Sequence, residues 1–340
     1  AGDAEELLFG KVGGGITRFE TSYLRRSPGF EVNDLGFLLR GDQQSWNTWF
    51  GLTSLHPASV YQVAFWNFNW WQYWTAGGLP LERAANTNLH MQLNNLWWVH
   101  GGVTFGQLGA TFDDRLARGG PAVRVDPYIN AWWEADGDNR PTFVPYVWVN
   151  YFRGSGGRSE SFNGNAQVTL RVASQFSTSV TLSATHNVSN NQWVGNVTDT
   201  SGTHYTFAYL NQKTAYLTGR VDYTVSTVLT LQVYAQPFIT KGAYSNLRQL
   251  SATPRAAAYA DRYQPYAGTP GGFNFKEFNS NVVLRWEYRP GSTLFVVWSQ
   301  GRQGFLPTPG TQSFRGDFGD LFTLHPNNTF LVKASYWLSW

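Results

Sequence analysis

The sequence predicts an all-β protein, a transmembrane antiparallel up-and-down β-barrel of about fourteen strands with short periplasmic turns and long extracellular loops. Three observations predict it. Side chains alternate with period two over many segments, connections alternate between short and long, and only 14% of the 340 residues are charged.

The alternation is plainest at the C-terminus. From Phe330 to Trp340, the residues Phe330, Val332, Ala334, Tyr336, Leu338 and Trp340 share one face, and Leu331, Lys333, Ser335, Trp337 and Ser339 share the other. The pattern recurs in Ser280 to Arg289, in Gly219 to Tyr223 and in Val123 to Ala135, read as one strand. One face is apolar and the other is mixed, as in a wall between lipid and water. A β-sandwich would also alternate, so the connections decide.

Short connections are expected near 56–58, 100–102, 136–140, 175–179, 226–228 and 290–292. Long ones are expected at 25–33, 76–85, 113–121, 154–158, 195–202, 240–276 and 301–328. Gly13 to Gly15 is taken as the start of the first strand, and a phosphate loop is improbable there because no helix follows. An even strand number places both chain ends in the periplasm of a bacterial outer membrane. The whole chain, 1–340, reads as a single barrel, and its first residue, Ala1, suggests a processed or truncated start. The terminal Tyr-Trp-Leu-Ser-Trp fits a closing strand ending on an aromatic residue.

Composition narrows the alternatives. No run approaches the roughly 18 to 20 apolar residues of a membrane helix. Cysteine is absent, which suits an oxidising compartment. A net charge of +3 without a basic cluster argues against nucleic acid. The six histidines lack zinc-site spacing, the Asp317-Phe-Gly319 triplet has no kinase partners, and Asp317 with Asp320 reads as loop solvation. No catalytic constellation, metal or cofactor is expected.

Aromatic residues are 17% of the chain. Trp70, Trp71, Trp97, Trp98, Trp133, Trp286, Tyr336 and Trp340 are assigned to a girdle at the lipid headgroups. Trp132, Trp148 and Trp337 fall on the inward face, where flat rings suit the faces of sugars. Inward charges are expected at Arg40, Asp42, Arg124, Asp126, Glu134, Arg171, Arg220, Asp222, Arg285, Glu287, Arg289 and Lys333. They would either set a pore field or pair within the lumen.

The runs SPGFEVNDLGF at 27–37, RVDY at 220–223 with LQVY at 231–234, and NNTFLVKASY at 327–336 resemble the C-terminal barrel region of a family of bacterial outer-membrane proteins. That family is described as carbohydrate-binding family 9-like domain-containing proteins. The resemblance implies an upstream domain similar to sugar-binding modules and more barrel sequence ahead of residue 1. It implies no catalytic residue.

Two functions are expected from these features. The first is a pore or uptake protein for a polar solute such as a saccharide. The alternative is a plugged structural barrel that anchors or scaffolds a surface or periplasmic protein complex through the loops 240–276 and 301–328. Outer-membrane lipid, lipopolysaccharide and, during insertion, the barrel assembly machinery are the expected partners.

Overall fold

Strands rich in Val, Thr, Tyr, Phe and Trp, cut by Gly, Asn and Pro turns, dominate the computed structural model, which describes residues 2–34 and 36–338. The chain opens with β1 (Ala4–Lys11), β2 (Thr17–Arg26), β3 (Gln43–Ser54), β4 (Tyr61–Trp74), β5 (Pro80–Leu93) and β6 (Trp98–Gly106). Two short strands, β7 (Thr111–Asp113) and β8 (Val123–Val125), form a ribbon of their own. Next come β9 (Tyr128–Asp136), β10 (Phe143–Gly154), β11 (Ser159–Ala173), β12 (Phe176–Asp199), β13 (Gly202–Ser226) and β14 (Leu229–Leu250). After β15 (Tyr263–Pro265), which extends the end of β14, come β16 (Gly272–Arg289) and β17 (Ser292–Leu306). The helix α1 (Phe314–Leu321) and β18 (Asn327–Ser335) complete the chain.

These strands, β7 and β8 excepted, form one antiparallel sheet of sixteen members in which neighbours in sequence are neighbours in space. The sheet does not close. Among the described residues, β1 and β18 are its two edges, and each is paired on one side only.

The count of fourteen was one too low, because the consecutive wall has fifteen strands without β15. Gly13 to Gly15 does not start the first strand. It is the turn of the β1–β2 hairpin, and Gly14 and Gly15 take the positive φ angles of 68° and 59° that favour glycine. An odd wall also separates the chain ends. β1 and β18 run in the same direction, so Ala4 and Ser335 lie at opposite ends of the sheet rather than at the same end.

Turn asymmetry is present, with altered boundaries. One end carries only the connections 12–16, 55–60, 94–97, 137–142, 174–175, 227–228 and 290–291. The other carries every long one: 27–42, 107–127, 251–271 and 307–326. The expected turn at 100–102 lies inside β6, while 195–202 shrinks to the two residues 200–201. The reason is the length of β12, β13 and β14, which have 24, 25 and 22 residues. Strands in proteins usually run to roughly 10 residues. Beyond Val188, β12 has left β11 and pairs with β13 alone.

This projection carries the buried apolar cluster of Ala117, Val123, Phe207 and Leu250. The connection 107–127 packs there, which explains another difference. Val123 to Ala135 is two strands, because Pro127 has no N–H for a ladder and separates the β7–β8 ribbon from wall strand β9.

Candidate functional site

Cross-strand register sorts the wall into two faces, since directly paired residues point to the same side. On one face lie Phe50, Trp66, Phe105, Trp133, Phe162, Leu182, Leu217, Trp286, Trp298 and Phe330. All are exposed large apolar side chains. An apolar surface that runs from one edge of the sheet to the other far exceeds the few hundred Å² usual on a soluble monomer.

The opposite face is built from amides and hydroxyls. Asn67 donates to Asn88 Oδ1 at 2.9 Å, Asn69 to Asn86 Oδ1 at 3.0 Å, and Asn86 to Thr104 Oγ1 at 2.9 Å. Asn130 and Asn150 exchange side-chain hydrogen bonds at 3.3 and 3.0 Å across β9 and β10. Further along, Asn165 donates to Ser183 Oγ at 2.7 Å, Thr185 to Asn163 Oδ1 at 2.9 Å and Thr181 to Gln167 Oε1 at 2.8 Å. Mutual pairing orients these half-buried groups while leaving each amide spare capacity, because an amide carries two donors and an acceptor.

Charges gather nearer the short-turn end of this polar face. Glu134, Arg171, Arg220, Asp222, Arg285, Glu287 and Lys333 share its register. Arg285 lies 3.1 Å from Glu287, and Gln232 donates to Asp222 at 3.1 Å. The other expected wall charges are elsewhere. Arg40 and Asp42 lie in the connection 27–42, where Arg40 pairs with Asp114. Arg124 lies in the β7–β8 ribbon and Asp126 just after it. Arg289 ends β16 beyond a register shift and donates to Tyr336 Oη at 2.8 Å.

The aromatic assignments divide likewise. Trp70, Trp133 and Trp286 lie on the apolar face. Trp71 and Trp98 do not: Trp71 pairs with Asn47, and Trp98 pairs with Asp136 and stacks on His100 at 5.6 Å. They belong to the polar face because period-two alternation sets Trp71 opposite Trp70 and Trp98 opposite Val99, whereas adjacency in sequence groups them together. Trp97 lies in the turn 94–97. Trp132 and Trp148 share the polar face, with Gly102 leaving room for the Trp132 indole. Trp337 follows β18 and covers the Gly291 turn, mostly exposed, because the last strand stops at Ser335. Tyr336 also lies past that strand, and Trp340 lies outside the described residues.

Among the described residues, two cavities on the polar face adjoin strand β10. The larger, about 630 Å³, sits at the short-turn end among Trp98, His100, Asp136, Tyr146, Gln167 and Arg171. The smaller, about 360 Å³, lies beside Tyr146, Trp148, Asn163, Asn165, Thr185 and Tyr216. Charge at the larger one is internally balanced. Arg140 lies 2.7 Å from Asp138 and holds its carboxyl below the usual range, His100 Nε2 lies 3.3 Å from Asp136, and Arg171 donates to the carbonyl of Asn139.

Long connections cross the opposite end. Arg262 is 1% exposed; it donates to the carbonyls of Ala256, Arg124 and Ala257 and to Asp126 at 2.8 Å. Arg158 reaches the second oxygen of Asp126 at 3.0 Å. On the other side of the ribbon, the Arg40 hydrogen bond holds the Asp114 carboxyl below its usual range against an opposing effect of burial. The connection 107–127 is thus tied to 27–42 and to 251–271. In the connection 307–326, α1 buries Asp317 against Lys241 at 2.8 Å and Lys276 at 3.4 Å.

The fold and faces define an all-β, antiparallel-sheet protein with one apolar and one polar surface. A profile of the family described as Domain of unknown function (DUF5916) matches residues 1–340, and the chain belongs to that family. No curated protein matches it.

Proposed function

We propose that this sheet is the wall of a bacterial outer-membrane β-barrel that passes or takes up an uncharged polar solute, a saccharide being the best chemical fit. The observation that carries this reading is the division of faces. Exposed aromatic and aliphatic residues span one surface, and hydrogen-bonded Asn, Thr, Ser and Gln span the other. Only a closed barrel satisfies both surfaces of so long a sheet in lipid.

Closure also has a parity requirement. β1 and β18 run the same way, so an all-antiparallel barrel needs an odd number of further strands between them. One strand would complete an even wall of sixteen. In this reading the short turns and Ser335 face the periplasm, the long connections and Ala4 face outward, and lipid with lipopolysaccharide surrounds the apolar face.

Uptake of neutral sugars by proteoliposomes tests this function. Vesicles holding the folded chain should swell in an isotonic disaccharide solution faster than empty vesicles; equal rates would overturn it. A second reading, a plugged scaffold, draws on the Arg262 lock across the long-connection end. It expects silent vesicles together with a protein partner retained through detergent purification.

A further inference from the structure

We infer that the two cavities on the polar face are adjoining subsites for one linear, uncharged oligosaccharide. This inference deepens the solute-passage reading and rests on it. Tyr146 lines both cavities, which makes them consecutive stations along one path rather than separate sites. Tyr146 and Trp148 are two residues apart on β10 and share a face, so their Cα atoms are offset by roughly 7 Å along the strand.

The lining has the chemistry of sugar recognition. Aromatic rings offer flat faces to the C–H surface of a pyranose, and amides offer the donors and acceptors that hydroxyl groups require. At the smaller cavity, Trp148 stands in register with Asn165, which is oriented by its bond to Ser183. At the larger, Trp98 is held against His100. The charges there cancel in number, with two acids, Asp136 and Asp138, beside two arginines: Arg140 is paired with Asp138, and Arg171 is tied to the carbonyl of Asn139. An ionic ligand therefore gains little over a neutral one. Two adjoining cavities also favour a chain of sugars over a single ring, because both stations then contribute to one binding event.

Ligand-observed NMR and calorimetry on the full chain, folded in detergent, test the site directly. The probes are maltohexaose, cellohexaose and xylohexaose, the monosaccharide of each, and oligogalacturonate as the anionic control. At least one neutral hexasaccharide should bind roughly tenfold more tightly than its own monosaccharide and more tightly than the anion. Trp148→Leu should weaken that hexasaccharide roughly tenfold and Trp148→Phe much less, the difference being the indole surface. Tyr146→Ala should erase the dependence on chain length, while Tyr146→Phe keeps it.

Trp133→Leu, on the apolar face, is the control for folding and should leave binding unchanged. The site is overturned if no hexasaccharide exceeds its monosaccharide, if the anion binds equally, or if Trp148→Leu folds and binds like the parent. Tight binding by a chain that never swells vesicles would overturn the passage reading and leave the subsites standing. Swelling without binding would do the reverse.

Discussion

Arg262 donates from Nη2 to Asp126 Oδ1 at 2.8 Å, and this pair of a buried guanidinium and a half-buried carboxylate joins two connections separated along the sheet by the six strands β9 to β14. Four donated hydrogen bonds surround the one guanidinium, so the contact is a clamp on the connections 107–127 and 251–271.

Breaking the clamp should loosen the long-connection end without dissolving the wall. Asp126→Asn leaves the Arg262 cation buried without its countercharge, a loss of about 3 kcal/mol by the precedent of buried pairs. Limited proteolysis should then cut within 251–271 while the strands stay protected. If the connections plug the barrel, vesicle swelling should also accelerate. Unchanged proteolysis would show that the apolar cluster around Phe207 holds these connections without the clamp.

Arg40 and Asp114 make a second tether whose pH dependence has a definite sign. The folded-state Asp114 carboxyl titrates below its ordinary value of 3.8, chiefly through the Arg40 hydrogen bond. Its contribution is therefore complete above the ordinary value and is lost as pH falls through the lower, folded-state value. At roughly 1 kcal/mol for a partly exposed pair, the tether should persist at pH 5 and fail only in stronger acid. Protease protection of 107–127 measured against pH checks this, and Asp114→Asn should remove this acid-linked component of the transition.

Trp132 and Trp133 are neighbours in sequence on opposite faces, and they discriminate the membrane reading sharply. Arginine on a lipid-facing strand position costs up to about 2 to 4 kcal/mol, most at the bilayer midplane and least at the interfaces, whereas a polar interior tolerates it. Trp133→Arg should lower the folded, heat-modifiable fraction in lipid vesicles, and Trp132→Arg should spare it. Equal folding by both variants would mean that the apolar face does not meet lipid.

The same pair of tryptophans shows what the sequence makes legible. Alternation was readable wherever a strand was regular, which placed Trp132 and Trp148 with the amides and Trp133 and Trp286 with the apolar residues. Proximity in sequence carries no such information: Trp71 and Trp98 adjoin Trp70 and Trp97, yet period two sets Trp71 opposite Trp70 and Trp98 on the polar face. Pro127, whose missing N–H ends a ladder, is the local signal in the sequence that removes Arg124 and Asp126 from the wall. Gly14 and Gly15 signalled a hairpin turn, and missing it cost one strand and reversed one end of the chain. The amide belt was also written in the sequence, as Asn67 and Asn69, Asn86 and Asn88, and Asn163 and Asn165 at alternate positions. Pairings such as Arg40 with Asp114 and Arg262 with Asp126 depend on how long connections fold, which no local period encodes.

The amide belt leads to a prediction about ions. Asn130 and Asn150 bond across adjacent strands on the uncharged part of the polar face. Asn150→Asp would put one negative charge there, beside Asn130 and Asn163, both able to donate to it. Two amide donors can hold that carboxylate ionised, so the wall should fold much as before while the field along it changes. If solute passes along this face, planar-bilayer recordings under a salt gradient should show the reversal potential move toward the cation potential, and Asn150→Lys should move it the other way. Neutral disaccharide flux should change far less than the ion ratio, because the substitution alters charge more than width. Identical reversal potentials for the parent and both variants would place the conducting path away from the Asn130–Asn150 pair.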